Sequence, residues 1–176
     1  DTTLFNSLKF DLNLYFNHFG IEATKNGNPI MYNVFNDYLE WGKILFVSPF
    51  VINSMNLQIC TDFENDLYRY LNGGGSAKFR TQVLRTLAPI ATNKSIVDYI
   101  YKVWNKNISV PGLALSENDY IDLSLELAIR RPLEYDTIIS EQLSRISNPD
   151  KIREYLFVSP AASPSPNARD SVFNSF

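Results

Sequence analysis

The chain of 176 residues is 45% hydrophobic, 20% charged and 14% aromatic, which suits one domain or two small units sharing a core and excludes disordered and collagenous classes. Its 16 basic and 19 acidic residues leave a net charge of -3, without the positive field that nucleic-acid binding requires. One cysteine, Cys60, and one histidine, His18, exclude an internal disulfide, a thiolate zinc site and any chemistry that needs two imidazoles.

Apolar periodicity is helical along most of the chain. Leu4, Leu8, Leu12, Tyr15 and Phe19 fall on one helix face, and Gly20 with Asn26-Gly27-Asn28-Pro29 predicts a stop and a loop. Ile30, Val34, Tyr38, Trp41 and Leu45 form a second stripe closed by Ser48-Pro49. A third segment around Val51, Ile52, Met55 and Ile59 fits helix or extended chain. Thr61-Asp62-Phe63-Glu64 has capping-box spacing and predicts a new helix opening at Thr61 and ending at Asn72-Gly73-Gly74-Gly75. Ser76 then caps a helix carrying Phe79, Val83, Leu84 and Leu87, with Pro89 near its end. Thr92 or Asn93 caps the next, which turns Ile96, Ile100, Val103 and Trp104 inward. Beyond the Pro111-Gly112 loop, Ser116 and Asp119 flank the start of a helix with Tyr120, Leu123 and Leu127 on one face. Pro132 separates it from a stripe at Tyr135, Ile138, Ile139, Leu143 and Ile146. Asn148-Pro149 and Ser165-Pro166 each place a capping residue before Pro at the first helical position, where the missing N–H costs nothing.

This order predicts an all-α fold over a single domain, residues 1–176. Short connections between successive helices point to antiparallel helix pairs stacked as an α-solenoid of the HEAT or armadillo kind, with a compact bundle as the alternative. The longest apolar run, Ile44–Val47, is far short of the roughly 18 residues of a membrane span. Asp1 in place of an initiator Met, and Phe176 inside a helical pattern, make both ends read as cut, so the chain is expected to be a fragment of a longer protein.

Candidate chemistry is sparse. His18 lacks a second imidazole, and Cys60 has no neighbouring base in sequence, so packing roles are expected for both. Gly73-Gly74-Gly75-Ser76-Ala77-Lys78 resembles a phosphate loop only loosely: Lys78 is followed by Phe79, and a helix precedes it. Glu117 and Asp119, Asp122 and Glu126, and Glu134 and Asp136 fall in first turns or on solvent faces, where the helix dipole and water account for them. The sequons Asn93-Lys94-Ser95 and Asn107-Ile108-Ser109 are short enough to arise by chance. Arg69, Arg80, Arg85, Arg130 and Arg131 are the most informative polar set, suited to pairing with carboxylates between helices or to gripping a substrate carboxylate.

The last third carries a more specific signal. Leu113-Ala114-Leu115-Ser116-Glu117-Asn118-Asp119-Tyr120 leads into Leu123-Ser124-Leu125-Glu126-Leu127-Ala128-Ile129-Arg130. Then follow Glu141-Gln142-Leu143-Ser144-Arg145-Ile146-Ser147-Asn148-Pro149-Asp150, Phe157-Val158-Ser159-Pro160-Ala161-Ala162-Ser163 and Ala168-Arg169-Asp170-Ser171-Val172-Phe173. Over residues 76–176 this order resembles the C-terminal helical region of bacterial M1-family zinc aminopeptidases; over residues 1–75 the resemblance is much weaker. The matching residues are packing and capping positions. The resemblance implies a non-catalytic domain that covers the active-site cleft of the same polypeptide and limits access to peptides. It places the zinc, with its HExxH motif, in the parent's catalytic domain. Neither HExxH nor GxMEN occurs in this chain, so no metal ligand and no catalytic residue carries over.

Clustering on consecutive predicted helices makes Arg69, Arg80, Arg85 and Arg130 the candidate substrate-contact residues, part of the set being expected to face the chamber so enclosed, and the resemblance implies as partners the parent's catalytic domain and its peptide substrate. Cytoplasm and periplasm stay equally open. The competing expectation is a free-standing helical-repeat scaffold that binds a protein on its concave face.

Overall fold

The structure is a computed structural model that describes residues 54–73 and 77–175, together with Thr3 and Asp37. Among the described residues it contains seven α-helices and no strand, which agrees with the all-α expectation. The proposed helices before residue 54, His18 and the Ser76 cap lie outside the described residues. The helices are α1 (Ser54–Asn72), α2 (Ala77–Leu87), α3 (Lys94–Trp104), α4 (Glu117–Arg130), α5 (Tyr135–Arg145), α6 (Pro149–Val158) and α7 (Pro166–Phe173). No helix among them is long and apolar enough to cross a membrane.

The chain divides into two compact units. One holds residues 1–91 and 110–114, the other 92–109 and 115–176.

In the first unit α1 packs on α2. Phe63, Leu67, Tyr70 and Leu71 of α1 recur at helical spacing and are buried, as are Phe79, Val83, Leu84 and Leu87 of α2. The predicted helix start at Thr61 is incorrect: α1 begins at Ser54 and runs continuously through Thr61-Asp62-Phe63-Glu64. A capping-box spacing opens a helix only where the preceding residue leaves helical geometry, and here the helix is already under way. After α2 the chain tightens through Ala88 N–H to Leu84 O (2.9 Å) and Ile90 N–H to Leu87 O (3.2 Å). The segment 110–114 returns to this unit as a turn in which Leu113 N–H donates to Val110 O (3.0 Å). Pro111 suits the first corner and Gly112, at φ 74°, supplies the left-handed second corner of a type II turn. Thr81 Oγ1 donates to Ala114 O (3.0 Å) and ties this segment to α2.

The second unit is centred on α4, which packs on α3, α5 and the 3₁₀ turn Ser159–Ala162. Its start is over-determined. Ser116 Oγ accepts from Asp119 N–H (3.3 Å), and the Asp119 carboxylate accepts from Ser116 N–H (2.7 Å) and from its hydroxyl (2.6 Å). This is the capping box expected from Ser116 and Asp119, with Asp in the place more often held by Glu. α4 ends before Pro132, as the steric demand of proline on its predecessor requires, and a three-residue 3₁₀ turn, Pro132–Glu134, delivers the chain into α5. α6 has the predicted Asn148 cap, with Asn148 Oδ1 accepting from Asp150 N–H (2.9 Å). α7 starts after Ser165, as expected, but the Ser165 side chain makes no capping bond.

Two buried hydrogen bonds pin this unit. Trp104 Nε1–H donates to Gln142 Oε1 (2.9 Å), joining α3 to α5. Ser124 Oγ lies 2.9 Å from Tyr155 Oη and 2.6 Å from Ile121 O. Serine carries one hydroxyl hydrogen, which the carbonyl engages, so the Tyr155 hydroxyl donates to Ser124 and joins α6 to α4.

Replacing Gln142 with leucine leaves a buried indole N–H without an acceptor and is expected to cost about 1–3 kcal/mol, read as a lower denaturant midpoint at unchanged slope. Burial pushes the Tyr155 hydroxyl up to about 12, and burial with the Asp66 charge does the same for Tyr70. A folded-state value above the unfolded one stabilises the protein fully below the unfolded value, about 10, and is lost as pH rises through the folded one. Stability is therefore expected to fall between about pH 10 and pH 12, and Tyr155→Phe to flatten that decline in alkaline denaturation curves.

Candidate functional site

The arginines singled out by sequence fall into different environments. In the first unit, Arg69 pairs with Asp66 (3.2 Å) and lies over the Tyr70 ring (5.3 Å), with its side chain 61% exposed. Such an exposed pair contributes little to stability. Arg85 is exposed in the last turn of α2, where a cation complements the helix dipole. Arg80 differs: it is only 8% exposed, and its Nε has no hydrogen-bond partner. In the second unit, Arg130 donates to Glu126 Oε2 (2.6 Å) and to Glu126 O (3.1 Å), one turn back along α4.

Arg131 takes a structural role. It pairs with Asp98 of α3 and with Glu134 (2.7 Å), and its guanidinium lies 4.4 Å from the centre of the Tyr101 ring. Burial alone works against its charge, but the hydrogen bonds to Glu134 and Asp98 more than offset that and hold its pKa above the ordinary value. It joins the exit of α4 to the side of α3.

Arg145, not singled out from sequence, does the same at the other end of α3. It donates to Trp104 O (3.1 Å) and Asn105 Oδ1 (3.0 Å), pairs with Glu141, and sits 4.7 Å over the Trp104 ring. The first bond satisfies a carbonyl that the helix end leaves open. The same end is closed by a Schellman pattern: Asn107 N–H donates to Lys102 O (2.9 Å) and Lys106 N–H to Val103 O (3.1 Å). The left-handed position, normally glycine, is Lys106 at φ 58°. Its ammonium lies 5.1 Å over the Tyr120 ring, an attraction that offsets part of the backbone cost.

Four of the carboxylates singled out from sequence, Glu117, Asp119, Glu126 and Glu134, are tied into the fold. Asp119 closes the capping box, Glu126 holds Arg130 and Glu134 holds Arg131. Glu117 accepts from Lys151 Nζ (2.6 Å) and from Ser147 N–H (3.4 Å), linking the start of α4 to the start of α6. Cys60 falls within α1. Among the described residues no three His, Cys, Asp or Glu side chains converge in a way that holds a metal ion. Of the sequon asparagines, Asn93 caps α3 through Ser95 N–H (2.9 Å), while Asn107 is exposed in the loop after that helix.

Hydrogen bonds from Lys151 and from Ser147 N–H hold the Glu117 carboxyl below its ordinary value. Its contribution is present above the unfolded-state value and is lost as pH falls through the lowered one. Glu117→Gln is accordingly expected to lower the neutral plateau slightly and to flatten the acid limb of stability against pH, checked by urea titrations from neutral into the acid range.

No protein-family model matches the chain, and no curated protein and no solved structure matches it.

Proposed function

We propose that the chain is a non-catalytic, C-terminal helical domain of a bacterial M1-like zinc aminopeptidase, walling the active-site chamber and restricting entry to peptides. The observation that carries this reading is the ordered run from Leu113 to Phe173 that resembles that region of the family. Its fold is compatible: Ser116 and Asp119 form a cap, Asn148-Pro149 opens α6, and Leu123, Leu127, Gln142 and Ile146 are buried. Several polar residues of the second unit, among them Gln142, Tyr155, Arg131, Arg145 and the Glu117–Lys151 pair, hold helices together, which suits a wall. In this reading the helices continue as antiparallel pairs of a HEAT-like solenoid, and the zinc belongs to the catalytic domain of the parent polypeptide. Part of the set Arg69, Arg80, Arg85 and Arg130 then meets the peptide.

A free-standing protein-binding scaffold is the second reading. It is favoured by the large apolar side chains left exposed on the second unit, Ile129, Leu133, Leu156, Phe157 and Phe173. The same side chains suit a surface covered by another domain of one polypeptide. The open reading frame upstream separates the two: an HExxH motif followed by a distant Glu supports the peptidase, and its absence removes it.

The purified chain is expected to hydrolyse no aminoacyl-arylamide substrate, with or without added zinc. Chelator-sensitive hydrolysis by this chain alone overturns the non-catalytic reading.

A further inference from the structure

Two sequons lie in the second unit, Asn93-Lys94-Ser95 and Asn107-Ile108-Ser109. Their occurrence in the sequence carries no information, but the fold treats them in opposite ways. A sequon is an acceptor through two groups, the Asn carboxamide and the hydroxyl two residues on, and both have to be presented together on an accessible segment.

At the first sequon both groups are engaged, and with each other. Asn93 Oδ1 accepts from Ser95 N–H (2.9 Å) and from the Ser95 hydroxyl (2.8 Å). Ser95 is the second residue of α3, and Ile96 N–H (3.0 Å) and Val97 N–H (2.9 Å) donate to Asn93 O. Presenting this sequon in extended form therefore removes the cap and unwinds the first turn of a helix whose Ile96 and Val97 are buried.

The second sequon lies beyond the other end of the same helix, and Asn107 and Ser109 are both exposed. Neither the Asn107 carboxamide nor the Ser109 hydroxyl takes part in a hydrogen bond among the described residues. The backbone anchors the segment without using either group. Asn107 N–H (2.9 Å) and Ile108 N–H (3.3 Å) both donate to Lys102 O, and Val110 is buried just past the sequon. The fold thus spends the first sequon on a helix start and leaves both acceptor groups of the second unspent at the surface.

We infer that Asn107 is the N-glycan acceptor of this chain and that Asn93 is not. The donor class is a polyprenyl-pyrophosphate-linked oligosaccharide, and the agent is an oligosaccharyltransferase. In the transfer, Asn107 Nδ2 forms a bond to the anomeric carbon as the bond from that carbon to the pyrophosphate oxygen breaks. The amide proton passes to a base of the transferase, and polyprenyl pyrophosphate leaves. No oxidant or reductant enters. The added group is bulky and hydrated, which an exposed connection tolerates and a helix start bound to its own side chains does not. The inference rests on the geometry of the two sequons and does not depend on the peptidase reading.

The purified, folded full chain is incubated with a single-subunit oligosaccharyltransferase and a lipid-linked oligosaccharide, and modified sites are mapped by mass spectrometry. One glycan is expected, on Asn107, added roughly tenfold or more faster than any at Asn93. Asn107→Gln and Ser109→Ala each abolish it, and Asn93→Asp, which keeps a capping oxygen, leaves it intact. Asn107→Gln removes no hydrogen bond, so its Tm is expected to match that of the wild type, and loss of the glycan at unchanged Tm separates a missing acceptor from a misfolded chain. Synthetic peptides spanning residues 88–98 and 102–112 have no fold to distinguish them and are expected to be modified at similar rates. Failure of the folded chain to accept a glycan overturns the proposal. So does earlier transfer to Asn93, or a pair of peptides that shows the same preference as the folded chain.

Discussion

The second unit is organised around a single tryptophan. Trp104 is fully buried at the end of α3, and three different parts of it are held by α5: its indole N–H by Gln142, its carbonyl by Arg145, and its ring face by the same guanidinium. A large aromatic contributes most of its stabilisation through buried area, but area has no direction. The N–H bond and the cation over the ring supply direction, so α5 has one register against α3. Since α4 connects directly to α5 through the Pro132–Glu134 turn, that register also sets where α4 lies. Arg131 then fastens the exit of α4 to Asp98 and Tyr101, closing a triangle of three helices.

Once that triangle exists, the remaining elements follow with few further constraints. Tyr155 brings α6 onto α4 through Ser124, and the Glu117–Lys151 pair joins the starts of the same two helices. Tyr135 Oη donates to Ser159 O (3.0 Å) and holds the 3₁₀ turn that leads to α7. Arg169 reaches back to Ser163 O (2.7 Å) and steadies the entry to that last helix, where the Ser165 side chain gives no cap. Charges placed this way restrict helix pairing more than they add stability, because half-exposed ion pairs are weak individually.

Much of this was legible in the residues. The capping asparagine at 93, the Ser116–Asp119 box, the Asn148-Pro149 start and the inward faces of α2, α3 and α4 all depend on neighbours within four residues, and local spacing reports them. Thr61 shows the limit of that approach: the motif is local, but whether it opens a helix depends on what the chain is already doing at Cys60. Trp104 and Gln142 lie 38 positions apart and Arg145 meets the Trp104 carbonyl across 41, so neither contact has a signature in spacing. Among the arginines, sequence placed five in one set, and the fold sorted them into an exposed ion pair, a helix-end charge, an intrahelical pair, an interhelical clasp and the buried Arg80.

The sequence by itself determined the helical class, most helix limits in the last hundred residues and the lack of an imidazole or thiolate set for metal chemistry in this chain. These follow from short-range periodicity, capping and composition, which need no knowledge of what lies across the core. Only the tertiary structure decided which charges are satisfied. A guanidinium's state depends on whether a carboxylate arrives from another helix and on how much water is excluded, and both are set by packing between residues distant in the chain. Arg131 and Arg80 are the same chemical group, yet the fold makes one a clasp between helices and leaves the other buried without an acceptor for its Nε.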